Sequence, residues 1–119
     1  MSNELERFNS DNRMSQVIKF NHYIETAGIV AQCKEIDILN QTQSVLDQLE
    51  QRLQMAGANK NNLIYIQIWL ADMEDFDGMN QIYEQWFDGF NKPTRACVGA
   101  QLAVPQYRIE IQARAALVD

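Results

Sequence analysis

Hydrophobic and polar positions change their period several times along the chain. Met14 to Phe20 alternates loosely, as a strand does, and Asn21-His22 offers a tight turn into a second strand over Tyr23 to Gln32. Gly28 falls inside that second strand, where a missing side chain marks a bulge or a close approach by ligand or backbone. After a connection at Cys33 to Ile36 the period lengthens. Ile38, Thr42, Val45, Leu49, Leu53 and Ala56 recur three or four residues apart, which predicts one buried face of a helix over 38–56. Asp37 can accept the first free N–H groups of that helix, and Gly57 can end it in the left-handed conformation. Gln43, Asp47, Glu50, Gln51 and Gln54 form the opposite, solvated face.

Period two returns at Leu63 to Ala71. Ile64, Ile66, Ile68 and Leu70 share one face and Leu63, Tyr65, Gln67 and Trp69 the other, so both faces are expected to be buried. Asp72 then caps a second helix over 73–90, which buries Phe76, Met79, Tyr83, Trp86, Phe87 and Phe90 before Pro93 blocks its extension. A strand over 94–102, bent at Gly99, a turn at Val104-Pro105-Gln106 and a cleanly alternating strand over 107–118 complete the chain. The order β-β-α-β-α-β-β predicts an α+β fold, a mixed sheet with two helices on one face. The other face has no layer of its own, yet Leu63, Tyr65 and Trp69 point toward it, which predicts an oligomer packed sheet on sheet.

Composition narrows this picture. With 119 residues, 46% of them hydrophobic and 22% charged, the chain has enough apolar surface for one globular core. Residues 1–12 form a polar segment in which Glu4, Glu6 and Asp11 mix with Arg7, set before a single domain over 13–119. That segment lacks the apolar centre of a signal peptide, and no run approaches the ~18–20 apolar residues of a membrane span. No membrane partner is therefore expected. A net charge of −6 opposes a phosphate backbone, so nucleic acid is not an expected partner either. Cys33 and Cys97 are far apart and give no disulfide framework, which points to the cytoplasm.

Candidate chemistry concentrates between Lys92 and Arg114. Arg95 enters a strand beside Ala96, Cys97 and Val98, and an arginine in such surroundings needs an anionic partner that its planar fork can grip. A structural salt bridge to Glu110 meets that need, and so does an external carboxylate. Glu110 points away from the isoleucine face of the last strand, where it can pair with Arg95 or Arg108 or orient a water. His22, the only histidine, sits at a turn and reads as solvated. There is no His/Cys/Asp cluster at metal spacing, no Cys-His pair and no glycine-rich phosphate loop. No metal or cofactor is expected.

The run Thr94 to Ala113 resembles the closing signature of the RidA/YjgF family, R-x-x-V, a short apolar run, Pro, then (V/I)-E-I. Arg95, Val98, Leu102, Pro105 and Ile109-Glu110-Ile111 fill it at the family's spacing. Leu70-Ala71-Asp72-Met73 with Phe76, Asn80 and Tyr83 is similar to its L-x-D-M…F…vN…Y segment, and the 37–57 helix to its first helix. Met14-Ser15-Gln16 aligns, without gaps through Ile29, with its Y-S-Q and S-G-Q segments. The resemblance is closest to the shorter YoaB-like branch. It implies a chorismate-mutase-like subunit, a homotrimer, and pockets in clefts between subunits. It also implies hydrolysis of enamine or imine carboxylates such as 2-aminoacrylate to a 2-keto acid and ammonia. By the same resemblance Arg95 holds the substrate carboxylate, Cys97 supplies a pocket wall and backbone donor, and Glu110 orients the water as acid and base. Met14, Ala27 and Gly28 line the pocket, with Met14, Ala27 and Ile29 standing where the family has tyrosine, serine and glutamine. Those replacements also fit an alternative, a non-catalytic trimer that binds a 2-keto acid or similar metabolite. Ribonuclease or translation-inhibitor activity, also attributed to the family, is opposed by the charge of −6.

Overall fold

The computed structural model describes residues 5–118. Its strands are β1 (Leu5–Phe8), β2 (Val17–Phe20), β3 (Tyr23–Thr26), β4 (Ile29–Val30), β5 (Leu63–Leu70), β6 (Thr94–Gly99) and β7 (Ile109–Ala116). Two helices, α1 (Ile38–Met55) and α2 (Phe76–Trp86), pack on one face. The strands form one mixed sheet in the order β1-β2-β3-β7-β5-β6, with β4 also pairing β7. Among the described strands only β5 and β6 run parallel, because α2 carries the chain back between them. No helix among the described residues is long and apolar enough to cross a membrane.

The expected α+β arrangement is present, with two differences in strand count. Leu5–Phe8, inside the polar N-terminal segment 1–12, is a strand that pairs Leu5 with Phe20 and Phe8 with Val17. Three of its four residues are exposed, so it carries too little apolar alternation to be seen in the sequence. The expected second strand is split in two at Ala27-Gly28. β3 pairs with β7 as far as Glu25, and β4 resumes the pairing at Ile29. Between them the Thr26 hydroxyl accepts the N–H of Ala113 at 3.1 Å, in place of the ladder carbonyl that the break removes.

β5 also departs from expectation. Its pairing with β7 shifts between Leu63 and Tyr65, and the irregularity turns Leu63 into the core and leaves Ile64 45% exposed. From Ile66 on, the alternation holds. Ile66, Ile68 and Leu70 are fully buried beneath the helices with Ile109, Ile111, Ala113 and Ala115. Tyr65, Gln67 and Trp69 lie half-buried on the other, uncovered face. There the Tyr65 hydroxyl donates to Gln67 Oε1 at 2.6 Å.

α1 follows its predicted bounds closely. Asp37 accepts the N–H of Asn40 at 2.9 Å, and these donors hold its carboxyl below the usual value. Two glutamines escaped the periodicity. Gln48 is buried and donates to Val30 O at 2.8 Å. Gln41, 2% exposed, donates to Gln106 O at 2.9 Å and accepts from the N–H of Arg108 at 2.8 Å, which ties the 100–108 loop to α1.

α2 is shorter than predicted at both ends. A 3₁₀ turn at Met73–Asp75 precedes it, capped by Asp72 on the N–H of Glu74 at 2.9 Å. Asp75 instead faces Arg108, which grips it bidentately at 2.9 and 3.0 Å. At the far end the Lys60 ammonium takes Trp86 O at 2.8 Å and the Lys92 ammonium takes Phe87 O and Phe90 O at 3.0 and 2.7 Å. Cations on the last carbonyls and a left-handed Gly89 (φ 81°) stop the helix before Phe90.

Replacing Thr26 by valine keeps the shape and leaves the Ala113 N–H buried without an acceptor. The expected loss is about 1–3 kcal/mol, seen as a lower urea midpoint at unchanged slope. An unchanged midpoint would show that the hydroxyl is dispensable.

Candidate active site

Strand register decides where the candidate residues go. Partners in a ladder project to the same face. Arg95 and Cys97 on β6 pair with Ile66 and Ile68, so they project to the helix side. Glu110 on β7 pairs with Trp69, so it projects to the uncovered side. The salt bridge between Arg95 and Glu110 that the sequence allowed does not form. Nor does Glu110 pair with Arg108, whose guanidinium is taken by Asp75. No carboxylate among the described residues lies within salt-bridge distance of Arg95.

Arg95 is held all the same. Its guanidinium stacks over the ring of Tyr83, 4.8 Å from the centroid, and lies 5.8 Å from that of Phe76. Its Nη1 donates to Asn80 Oδ1 at 2.6 Å. Phe76, Asn80 and Tyr83 follow one another at helical spacing on α2, so one stripe of that helix forms the cradle. Two rings and one amide fix the plane of the fork without neutralising it, and the guanidinium remains exposed. The neighbouring Cys97 is half-buried, and burial pushes its thiol above the ordinary value, partly opposed by Arg95. It is therefore a thiol and not a thiolate at neutral pH, which suits a wall and not a nucleophile. The sequence singles out Asn80 and Tyr83 only as part of the L-x-D-M…F…vN…Y segment, not as neighbours of Arg95. Their signal was a single amide set into an otherwise aromatic helical stripe.

The second group lies around Glu110. Its ladder partners are Trp69 on one side and Val30 on the other. The carboxylate occupies the space beside Gly28 that a side chain would fill, and a Cβ there would collide with Glu110 Oε2. The glycine thus marks a close approach by a side chain of the same subunit. Ala27 is anchored by its N–H to Gln16 O at 2.9 Å, which brings the Met14–Gln16 segment alongside. Met14 is 48% exposed. Ile29, which the alignment placed with this group, points instead into the core at 2% exposure, paired with Ile111.

The structure therefore gathers the sequence-predicted residues into two groups on opposite faces of one sheet. Arg95 and Cys97 lie on the helix side at an edge strand, and Glu110, Gly28, Ala27 and Met14 on or beside the open side. The clefts flanking the 100–107 loop, of about 360 and 380 Å³, are lined by other residues, among them Cys33, Val104 and Tyr107. Among the described residues no group of three His, Cys, Asp or Glu side chains is placed to hold a metal ion.

Residues 4–117 match the family model described as Endoribonuclease L-PSP. The chain belongs to the YjgF/RidA family. A RutC family protein from Haemophilus influenzae is 36% identical over 90% of this chain and 93% of its own. The RutC family protein YoaB of Escherichia coli is 32% identical over 93% and 96%. A solved YjgF-family structure from Neisseria meningitidis superposes with a TM-score of 0.94 at 32% identity, covering 98% of each chain.

Gly28→Ala tests how the second group of this family member is held. The clash falls on the tip of a flexible side chain, so stability should change by less than about 1 kcal/mol. The Glu110 carboxylate should swing away from residue 28 in the variant's crystal structure. A carboxylate left in place would contradict the close approach.

Proposed function

We propose that the protein is a hydrolytic deaminase of small enamine or imine carboxylates, working in clefts between the subunits of a homotrimer. The observation that carries this reading is the Arg95 cradle, an oriented and exposed guanidinium with no carboxylate among the described residues within salt-bridge distance. Such a fork fits a small planar acid bidentately. Because Glu110 lies on the other face, one subunit cannot present both groups to one molecule. A second copy whose open face meets the β6 edge and α2 of the first completes the site.

In that cleft Arg95 orients the substrate carboxylate, and the backbone and thiol of Cys97 bound the pocket. An enamine first gains a proton on carbon and loses one from nitrogen to become the imine. Water then adds across C=N, its oxygen bonding to carbon while one of its protons passes through Glu110 to nitrogen. When the C–N bond of the resulting carbinolamine breaks, the hydroxyl proton follows the same route. The products are a 2-keto acid and ammonia, and the balance needs only water. The family model's description names an endoribonuclease, but a formal net charge of −6 favours a small anion over a phosphate backbone. An alternative reading, a trimer that binds a 2-keto acid without chemistry, draws on the apolar Met14 and Ala27.

The test is ammonia release from 2-aminoacrylate and from longer imino acids generated in situ, with the natural chain and Arg95→Ala side by side. Loss of a charged, bidentate contact should lower kcat/KM by roughly tenfold to a hundredfold or more, with the exposed substitution leaving folding and assembly unchanged. Equal rates in the two proteins would overturn the proposal. A 2-keto acid that raises Tm without any ammonia release would establish the binding reading in its place.

A further inference from the structure

Arg108 belongs to neither of the two groups above, yet its backbone and its fork reach three separate segments. Its N–H donates to Gln41 Oε1 on α1 at 2.8 Å, and its carbonyl accepts from the Ala71 N–H at 3.0 Å. Its guanidinium holds Asp75 at 2.9 and 3.0 Å. The Asp72 and Asp37 carboxylates lie near enough to favour the same cation. Gln41 and Asp75 are both buried, so these bonds form away from bulk water, where they are stronger.

Asp75 stands directly before α2, where an aspartate ordinarily caps a helix by accepting its first N–H groups. It makes no capping bond here. The carboxylate turns to Arg108 instead, and the start of α2 is fastened to the segment that leads into β7. The other end of α2 is held by Lys60 on Trp86 O and by Lys92 on Phe87 O. A helix pinned at both ends matters because, among the described residues, α2 supplies the contacts that hold the Arg95 guanidinium. Phe76 follows Asp75 directly, Asn80 lies one turn on, and Tyr83 about another turn beyond. β6 is the last strand in the sheet order, so no further strand of the subunit steadies Arg95 from outside.

Resting on the deaminase reading for what Arg95 does, we infer that Arg108 is a positioning residue for it. Through Asp75 it sets where α2 begins, and through α2 it sets the plane of the Arg95 fork. Arg108 lies two residues before Glu110, so one side chain also relates the cradle to the strand that bears the carboxylate. A lysine cannot replace it, because a point charge does not fix the direction of the Asp75 carboxylate as a two-pronged fork does.

Nuclear magnetic resonance of the intact protein with isotope-labelled arginine reads the fork, the Arg95 signals being assigned by their loss in Arg95→Ala. Stacked on Tyr83, they should lie upfield of those of exposed arginines. Asp75→Asn and Arg108→Lys should each move them toward the exposed values. Both should also lower kcat/KM for ammonia release severalfold, since a small misplacement of an orienting group is costly. A merely stabilising pair would behave as Thr26 does, and Thr26→Val, which weakens the fold at β3, should leave the Arg95 signals in place. Signals unmoved in either folded variant, or moved as far by Thr26→Val, would overturn the inference. If Asp75→Asn does not fold, Arg108→Lys, which keeps the charge, decides alone. Failure here is distinguishable from failure of the deaminase reading. Arg95 signals that respond while no chain releases ammonia keep the positioning role and remove the enzyme, and ammonia release with unresponsive signals does the reverse.

Discussion

The register of β5 with its two neighbours governs this molecule. β6 pairs with it in parallel and β7 antiparallel, so each residue of β5 fixes the side to which two others project. Ile66 and Ile68 point into the core and carry Arg95 and Cys97 to the helix side. Trp69 points out and carries Glu110 to the uncovered side. A slip of one residue in either ladder would exchange core for surface on that strand, and the isoleucines of β5 and β7 oppose it by their burial. Core packing and the separation of the two charged side chains are consequences of one alignment.

That separation gives the two charges different environments. Arg95 lies against aromatic faces and one amide, a setting that orients a cation and leaves it positive. Glu110 sits between Trp69 and Val30 with glycine beneath it. A carboxylate and a guanidinium in direct contact would have neutralised one another. Placed on opposite faces, both stay available to a third party. The break at Ala27-Gly28 serves the same end, because Thr26 restores the lost backbone bond and the chain can leave the ladder where Glu110 needs room. The edge position of β6 leaves Arg95 accessible, whereas a central strand would have covered it.

Much of this was legible in the sequence. The periods of Ile38 to Ala56 and Leu63 to Leu70 located α1 and β5, and the signature singles out Arg95, Cys97 and Glu110 as candidates. What escaped depended on contacts between distant segments. The capping that ends α2 early joins Lys60 and Lys92 to carbonyls that periodicity does not see, beside a left-handed Gly89. The irregularity at Leu63 to Tyr65 reversed the assignment of Leu63 and Ile64, since strict alternation assumes an unbroken ladder. β1 is a strand because β2 offers it an edge, not because its own residues alternate. The opposition of Arg95 and Glu110 follows from pairing partners, which one strand's pattern alone does not reveal.

If one subunit cannot join Arg95 to Glu110, two differently damaged subunits should be able to. Arg95→Ala and Glu110→Gln chains, each inactive in ammonia release, can be unfolded together and reassembled as mixed oligomers. Some clefts then combine the intact Arg95 of one chain with the intact Glu110 of the other, about a quarter of them for random assembly of a ring. The account predicts activity in the mixture and none in either variant reassembled alone. A mixture as inactive as its components would contradict the shared cleft.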